Sequence, residues 1–241
     1  TGNRIKGISL FVVPKMRVNP DGTIQGPNDV ICSGVEEKLG LHASPTCVLN
    51  FGGNDDCRGY LCGEEGEGLA HMFQMMNAAR INTGVSGMAL ASTAYQNALE
   101  YARGRIQGRD IAGRKSGDVP IIDHPDVRRM LLWMKAMVDG MRSMIYTGAF
   151  WQDLALELPE GEDRQHYQNL VDFMTPIIKA YCSDMGFRVC ETAIQCLGGY
   201  GYCRAFHIIR RSPGGKRVEI CVGTIESHHK NIMRGLSRCA T

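Results

Sequence analysis

The glycine-rich residues 195–202 (QCLGGYGY) form the segment whose residue types best suit the binding of a ligand. Glycine lets backbone N–H groups approach a phosphate closely. The spacing of these glycines differs, however, from the GxGxxG pattern of dinucleotide-binding loops. The later pair Gly214 and Gly215 before Lys216 is too short for a phosphate loop of the GxxxxGKS/T type. By itself the segment weakly indicates a cofactor loop, and a turn without a ligand is the simpler interpretation.

The cysteines and histidines predict neither a metal centre nor a disulfide framework. Ten cysteines in 241 residues are a lower density than that of small disulfide-stabilised folds. The cluster nearest the C-terminal segment has spacings of six to eight residues, which fit no zinc pattern. It comprises Cys182, Cys190, Cys196 and Cys203. Adjacent His228 and His229 would point in different directions on a helix. We predict no metal, and reduced thiols in a reducing compartment, either the mitochondrial matrix or the bacterial cytoplasm.

Composition and charge exclude several classes of protein. Hydrophobic residues make up 44% and charged residues 22% of the chain, which is typical of a globular protein rather than a disordered one. The longest apolar run, residues 8–13, is too short to cross a bilayer, and no secretory signal opens the chain. The net charge is +2, but residues 204–241 carry eight Lys/Arg against two Glu. This basic segment predicts a solvated face or, alternatively, a docking surface for an acidic protein, RNA or an anionic lipid.

The first 63 residues must be organised differently from the rest. They are rich in Gly, Asn, Asp and β-branched residues, and Asn-Pro-Asp-Gly at 19–22 predicts a tight turn. Short apolar runs that predict strands lie at 8–13, 30–32 and 47–51. We therefore predict a partial antiparallel β domain with long loops over residues 1–63.

From residue 64 onward, apolar residues recur every three or four positions, which predicts helices. We expect long helices over about 64–103, 125–156 and 161–197, and short ones near 204–211 and 224–238. Two predicted core-facing sets are Met130, Met134, Met137, Met141 and Met144, and Tyr167, Leu170, Phe173, Met174, Ile177 and Tyr181. Long helices with short connections indicate an antiparallel bundle over residues 64–241. The predicted fold class is α+β, mainly α.

Several segments, in the right order along the chain, resemble the acyl-CoA dehydrogenase family. Segments similar to the family in general are 6–15 (KGISLFVVPK), 59–64 (GYLCGE), 95–99 (YQNAL), 101–109 (YARGRIQGR) and 195–202 (QCLGGYGY). Segments closer to the long enzymes similar to methylmercaptopropionyl-CoA dehydrogenase are 34–40 (GVEEKLG), 42–46 (HASPT) and 124–130 (HPDVRRM). The resemblance covers nearly the whole chain and implies the C-terminal portion of this fold.

The resemblance also implies flavin chemistry on an acyl-CoA thioester. In the family a glutamate removes the α-proton and the β-hydrogen leaves as hydride to FAD, so the protein supplies the base and the orientation. The residues matched to cofactor-binding positions are Arg105, Gln107, Gln195, Gly198, Gly199 and Thr224. The first two would meet the FAD of a neighbouring subunit, and the next three would lie against a flavin diphosphate.

The sequence departs from the family at the catalytic base. Counted without a gap, the family's Tyr-Glu-Gly-Thr motif falls on residues 221–224 (CVGT), which places Val222 at the glutamate position. Valine cannot accept a proton. Some members carry the base just before an arginine that resembles Arg80, and that position is Ala79. Residues 212–216 (SPGGK) replace a helical stretch, and counterparts of the N-terminal helical domain and of the first half of the β domain are missing.

These departures predict a catalytically inactive structural or assembly subunit of a larger mitochondrial complex, in which FAD binding is vestigial or lost. The partners would be other protein subunits, in a homo-oligomer or a hetero-complex, that cover the incomplete β domain. The alternative is an FAD-dependent acyl-CoA dehydrogenase, or a fragment of one, that binds an acyl-CoA.

Overall fold

The structure, a computed structural model, describes residues 7–38 and 43–202. The chain divides into a first unit that ends at Ala78 and a second that begins at Ala79. One helix continues across this division, so the division differs from a boundary between two separate domains. The predicted domain boundary after residue 63 therefore remains a prediction. The expected short helices near 204–211 and 224–238 lie outside the described residues.

The first unit contains short antiparallel strand pairs, as the sequence predicts. The pairs are β1 (Leu10–Val12) with β6 (Tyr60–Cys62), β2 (Met16–Val18) with β3 (Ile24–Pro27), and β4 (Val30–Val35) with β5 (Cys47–Phe51). The predicted turn at 19–22 joins β2 and β3. Its Gly22 has φ +85°, and the Asp21 carboxylate accepts hydrogen bonds from the hydroxyl and the backbone N–H of Thr23. These hydrogen bonds lower the pKa of Asp21.

A polar side chain takes the place of an apolar core in the first unit. Asn28 is fully buried, whereas no apolar side chain is buried among residues 7–38 and 43–78. The Asn28 amide donates to the carbonyls of Pro14 and Arg58 at 2.7 and 2.8 Å, and its oxygen accepts from Arg58 N at 2.9 Å and from Arg17 Nε at 3.2 Å. Since a buried amide with all its partners rigidifies its surroundings, this residue holds three segments of the unit together.

Both faces of the β4–β5 pair are exposed. Every residue of β5 is exposed, and β4 leaves Ile31 at 55% and Val35 at 62% of their full exposure. Apolar strand residues normally pack on one face at least. These strands therefore form a sheet surface that the described residues of this unit do not cover.

Three long helices build most of the second unit. They are α1 (Gly68–Gly104), whose first turns belong to the first unit, α2 (Pro125–Glu157) and α3 (Glu162–Cys196). A short hairpin of β7 (Ile106–Arg109) and β8 (Asp118–Pro120) lies between α1 and α2. Pro125 starts α2 at a position where its missing N–H costs nothing. The three predicted long helices are confirmed.

The predicted methionine seam of α2 packs against α3. Met134 and Met141 are fully buried, and Met130, Met137 and Met144 contact the same core. Met130 Sδ lies 4.0 Å from Cys196 Sγ, and Met137 Sδ lies 3.6 Å from the Tyr181 hydroxyl. Since residues later in α2 meet residues earlier in α3, the two helices are antiparallel.

Helices α1 and α3 approach each other through small residues. A Cβ added to Gly87 would lie 2.6 Å from the carbonyl oxygen of Cys182, and one added to Gly186 would lie 2.8 Å from the carbonyl oxygen of Gly87. A Cβ added to Gly84 would lie 2.8 Å from the Ile178 side-chain methyl Cγ2. Because contacts advance along both helices together, α1 and α3 run parallel.

The inward face predicted for α3 is partly wrong. Phe173 is 47% exposed, and the fully buried side chains of α3 include instead Thr175, Ile178 and Cys182. The glycine face of α1 comes too close to α3 to admit a large aromatic ring, so small and β-branched residues occupy the interface. The described cysteines are free thiols, and burial raises the pKa of Cys182 to about 12 and that of Cys196 to about 11.

We predict opposite effects of adding a methyl group to two helical glycines. Gly87→Ala should lower the free energy of unfolding by about 1–3 kcal/mol, because the interface must open. The control is Gly140→Ala on α2, where an added Cβ meets no atom within 4 Å; it should raise that free energy by about 0.5–1 kcal/mol through helix propensity. Urea unfolding followed by circular dichroism measures both. Equal stability of the two variants would contradict the close α1–α3 packing.

Candidate functional site

The C-terminal end of α1, strand β7 and a 3₁₀ turn after α3 meet at one end of the second unit. The turn comprises Gly198–Tyr202. The Tyr101 and Tyr200 rings lie edge to face, with centroids 6.4 Å apart and an interplanar angle of 66°. The Arg105 guanidinium lies over the Tyr200 ring, 5.5 Å from its centroid. This cluster brings the predicted arginine beside the predicted glycine turn.

The backbone around Arg105 is fixed on both sides. Its N–H donates to the carbonyl of Tyr101 at 2.8 Å, and its carbonyl accepts from Ile121 N at 2.8 Å. Its side chain reaches Gln107 Oε1, 3.4 Å from both Nε and Nη2. The Gln107 carbonyl lies 2.7 Å from His124 Nε2. The hairpin and the start of α2 thus hold both predicted residues of β7.

The turn after α3 leaves space beside its first two glycines. Gly198 has φ +57°, and a Cβ added there or at Gly199 would meet no atom within 4 Å. A Cβ on Gly201 would lie 2.5 Å from the Ile194 carbonyl oxygen, so only glycine lets the turn fold back on α3. Gln195 is exposed in the last turn of α3.

The site offers donors and one positive charge to a ligand. The negative end of the α3 dipole lies here, which disfavours an anion, so Arg105 supplies the attraction. Its guanidinium, two side-chain amides and glycine backbone N–H groups are the donor types that bind phosphate oxygens. Five of the six matched cofactor-binding residues therefore lie at this end of the unit. Thr224 and Val222 lie outside the described residues.

Comparison with known proteins identifies the family. The model of the acyl-CoA dehydrogenase C-terminal domain matches residues 66–237. The chain belongs to the acyl-CoA dehydrogenase family.

Two relatives support the subgroup that the sequence resembles. Butyryl-CoA dehydrogenase of Syntrophomonas wolfei is 42% identical over 205 residues, which are 83% of this chain and 34% of that protein. The 3-methylmercaptopropionyl-CoA dehydrogenase of Ruegeria pomeroyi is 44% identical over 198 residues, 82% of this chain and 33% of that protein. The chain thus spans about a third of the length of these relatives.

A solved structure shows the same fold. Butyryl-CoA dehydrogenase from Megasphaera elsdenii superposes with a TM-score of 0.67 at 22% identity, covering 94% of this chain and 55% of that one. The predicted fold class, mainly helical with antiparallel strand pairs, is confirmed. Among residues 7–38 and 43–202, no helix is both long and apolar enough to span a membrane, and no three His, Cys, Asp or Glu residues group as metal ligands.

Ala79, which the resemblance matches to the alternative base position, carries no ionisable group. Ala79 is exposed at that position. The next residue, Arg80, faces Lys179 of α3; burial first, and then the Arg80 charge, lower the pKa of Lys179. Two cations therefore lie where α1 and α3 meet, with no carboxylate at position 79 to accept a proton.

Sequence reasoning missed Tyr101 and Tyr200 in this site. Tyr101 precedes Arg105 by four residues, the spacing that places two side chains on one helical face, and Tyr200 directly follows the glycine pair. An aromatic residue at each place was a signal for a cation–aromatic contact, but only the fold shows that the two tyrosines meet.

A shallow groove of about 420 Å³ near the start of α2 is a separate feature, lined by Arg114, Asp123, Pro125, Arg128, Arg129 and Leu132. Each arginine pairs with a carboxylate, at distances of 2.8 to 3.3 Å. Asp123 also accepts from Lys115 Nζ at 2.7 Å. The Lys115 hydrogen bond, and then the charges of Lys115 and Arg128, lower the pKa of Asp123 against the opposing effect of its burial.

We predict that Asp123 makes stability depend on acid. Its ordinary pKa is about 3.9, so the unfolded carboxyl binds a proton at higher pH than the folded one. Its stabilisation is present above about pH 4 and is lost as the pH falls through the folded-state value. Between about pH 5 and pH 3, the free energy of unfolding measured in urea should fall less steeply for Asp123→Asn than for the wild type. The pH dependence of Lys115→Met should lie between those of the wild type and Asp123→Asn. If the free energy of unfolding changed equally with pH in all three proteins, this role of Asp123 would be contradicted.

Proposed function

We propose that this chain provides the C-terminal helical part of an FAD-dependent acyl-CoA dehydrogenase and contacts the diphosphate of the flavin nucleotide. The proposal is carried by one observation: Arg105, Gln107 and the 198–199 turn lie at the same end of the unit, linked through Tyr200. They come from two segments about 90 residues apart in sequence, and a purely structural turn would not require that meeting.

The residues fit a diphosphate by charge and by space. The ion pairs among the described residues do not include Arg105, so its charge is available to a ligand. A Cβ added to Gly198 or Gly199 would meet no atom within 4 Å, so a ligand has space beside the turn. FAD, when bound, supplies the acceptor for the substrate hydride. The residues of this chain bind and orient the nucleotide, and no base is placed among the described ones.

The names of two relatives support a substrate class. Those with 42% and 44% identity are named for butyryl-CoA and 3-methylmercaptopropionyl-CoA, so we take a short acyl-CoA thioester as the substrate. The exposed apolar residues of β4 and β5 favour cover by another protein segment, in a homo-oligomer or a hetero-complex. The free cysteines suit a reducing compartment, the bacterial cytoplasm or the mitochondrial matrix.

A second candidate is a non-catalytic assembly subunit of a larger mitochondrial complex. It is favoured by Val222 at the base position and Ala79 at the alternative one. The basic residues 204–241, which lie outside the described residues, would then serve as a docking segment. The two candidates differ in whether bound flavin is reduced by substrate.

We predict that Arg105 carries flavin affinity. Arg105→Gln should weaken FAD binding about ten- to hundredfold, because a charge-assisted hydrogen bond is lost. Arg103→Gln removes the same charge from an exposed position in the last turn of α1 and should change affinity little. Quenching of flavin fluorescence measures both. Equal affinities for the two variants would refute a phosphate contact by Arg105.

A second prediction separates the two candidates. With FAD bound, the dehydrogenase candidate predicts that the wild type bleaches when butyryl-CoA is added. The non-catalytic candidate predicts that the wild type stays yellow and that Val222→Glu bleaches, since a general base contributes about 10²–10⁴-fold in rate. Val218→Glu, the matched control, introduces the same carboxylate four residues earlier and should not bleach. Bleaching of the wild type would reject the non-catalytic candidate and show that another group acts as the base.

A further inference from the structure

We infer that Tyr200 is a positioning residue, which orients the Arg105 guanidinium and joins it to the Gly198–Gly199 backbone. This inference rests on the proposed function, because the purpose of that orientation is to hold both donors ready for one diphosphate. The sequence places Tyr200 in the glycine-rich segment, but only the fold brings its ring to Arg105.

The rings of Tyr101 and Tyr200 and the guanidinium of Arg105 form a layered cluster that begins in the hydrophobic core. Tyr101 is partly buried and packs against the hydrophobic core of the bundle. Its ring meets Tyr200 at 6.4 Å in an edge-to-face arrangement, which is a favoured geometry for aromatic pairs. Tyr200 in turn presents its face to Arg105 Cζ at 5.5 Å, within the range of a cation–π interaction. The rigid core thus reaches the guanidinium through Tyr200.

The other contacts of the Arg105 side chain cannot fix it as well. Both hydrogen bonds to Gln107 Oε1 are long, at 3.4 Å, and Gln107 itself is exposed. An arginine has many rotamers to lose on binding, so a surface that restricts them beforehand improves affinity. The Tyr200 ring provides such a surface.

Tyr200 also belongs to the segment that carries the glycines. It follows Gly199 directly, and the same turn is folded back on α3 at Gly201, where an added Cβ would lie 2.5 Å from the Ile194 carbonyl oxygen. A contact between Tyr200 and Arg105 therefore fixes the distance between the guanidinium and the glycine N–H groups. Loss of the ring would separate two halves of one binding surface while leaving each half intact.

The test compares Tyr200→Phe, which keeps the aromatic face, with Tyr200→Leu, which keeps bulk without it. Each is made in the wild-type chain and in Arg105→Gln, and affinities for FAD and riboflavin are measured by fluorescence. Tyr200→Leu should weaken FAD binding about two- to fivefold, and Tyr200→Phe should restore wild-type affinity. Riboflavin, which lacks phosphate, should bind with equal affinity to all the variants. In the Arg105→Gln background, Tyr200→Leu should cause no further loss of FAD affinity.

A ligand-free measurement keeps the inference separate from the proposed function. In protein labelled with ¹³C-arginine, ring currents should move the Arg105 δ-methylene protons upfield in the wild type and in Tyr200→Phe, but not in Tyr200→Leu. The Arg105→Gln spectrum assigns the signal. An unshifted wild-type signal, or an equal FAD loss from Tyr200→Leu with and without Arg105, would overturn the inference. A shifted signal in a wild type that binds no FAD would support the orientation by Tyr200 and overturn the proposed flavin contact.

Discussion

The close crossing of α1 and α3 is the constraint on which the arrangement of the candidate site depends. Gly87 and Gly186 let the two backbones approach until an added Cβ would collide with a carbonyl oxygen. Because the helices run parallel from that point, equal lengths of chain bring Tyr101 beside Tyr200, each 14 residues beyond its glycine. Arg105 and the 198–199 turn meet for the same reason. A shift of one helix by a single turn, about 5.4 Å, would separate the guanidinium from the glycine backbone.

The large features of the fold could be predicted from the sequence because they repeat. Apolar residues every three or four positions gave three long helices, and the methionines of α2 marked the surface that packs on α3. The inward face of α3 was harder, because large apolar residues such as Phe173 were expected inside. Hydrophobicity does not report the distance between two backbones, and that distance decided which residues are buried. The glycines of α1 indicate a close approach of the two helices, but only when they are considered together with their contact residues on α3.

The candidate site shows the same division between local and distant information. The glycine segment and Arg105 could be chosen from residue types and from family resemblance, since each is a short motif. The tyrosine pair could not, because Tyr101 and Tyr200 are 99 positions apart in sequence and neither is unusual by itself. The first unit makes a similar point: Asn28 belongs to none of the motifs named from the sequence, yet it is the fully buried side chain that joins three segments.

The polarity of the helix ends explains why the site needs both an arginine and an aromatic residue. Phosphate sites often use a helix N-terminus, whose partial positive charge attracts the anion. Here the parallel helices α1 and α3 both present their C-terminal ends, whose partial charge is negative. A diphosphate at this end can be held only by a full positive charge that lies in front of the carbonyl groups. Without another contact, an arginine here would turn towards those carbonyls or into water. The face of the Tyr200 ring provides a contact that holds the Arg105 guanidinium away from them. The direction of the helices therefore leads to the chemistry of Arg105, and the chemistry of Arg105 leads to Tyr200.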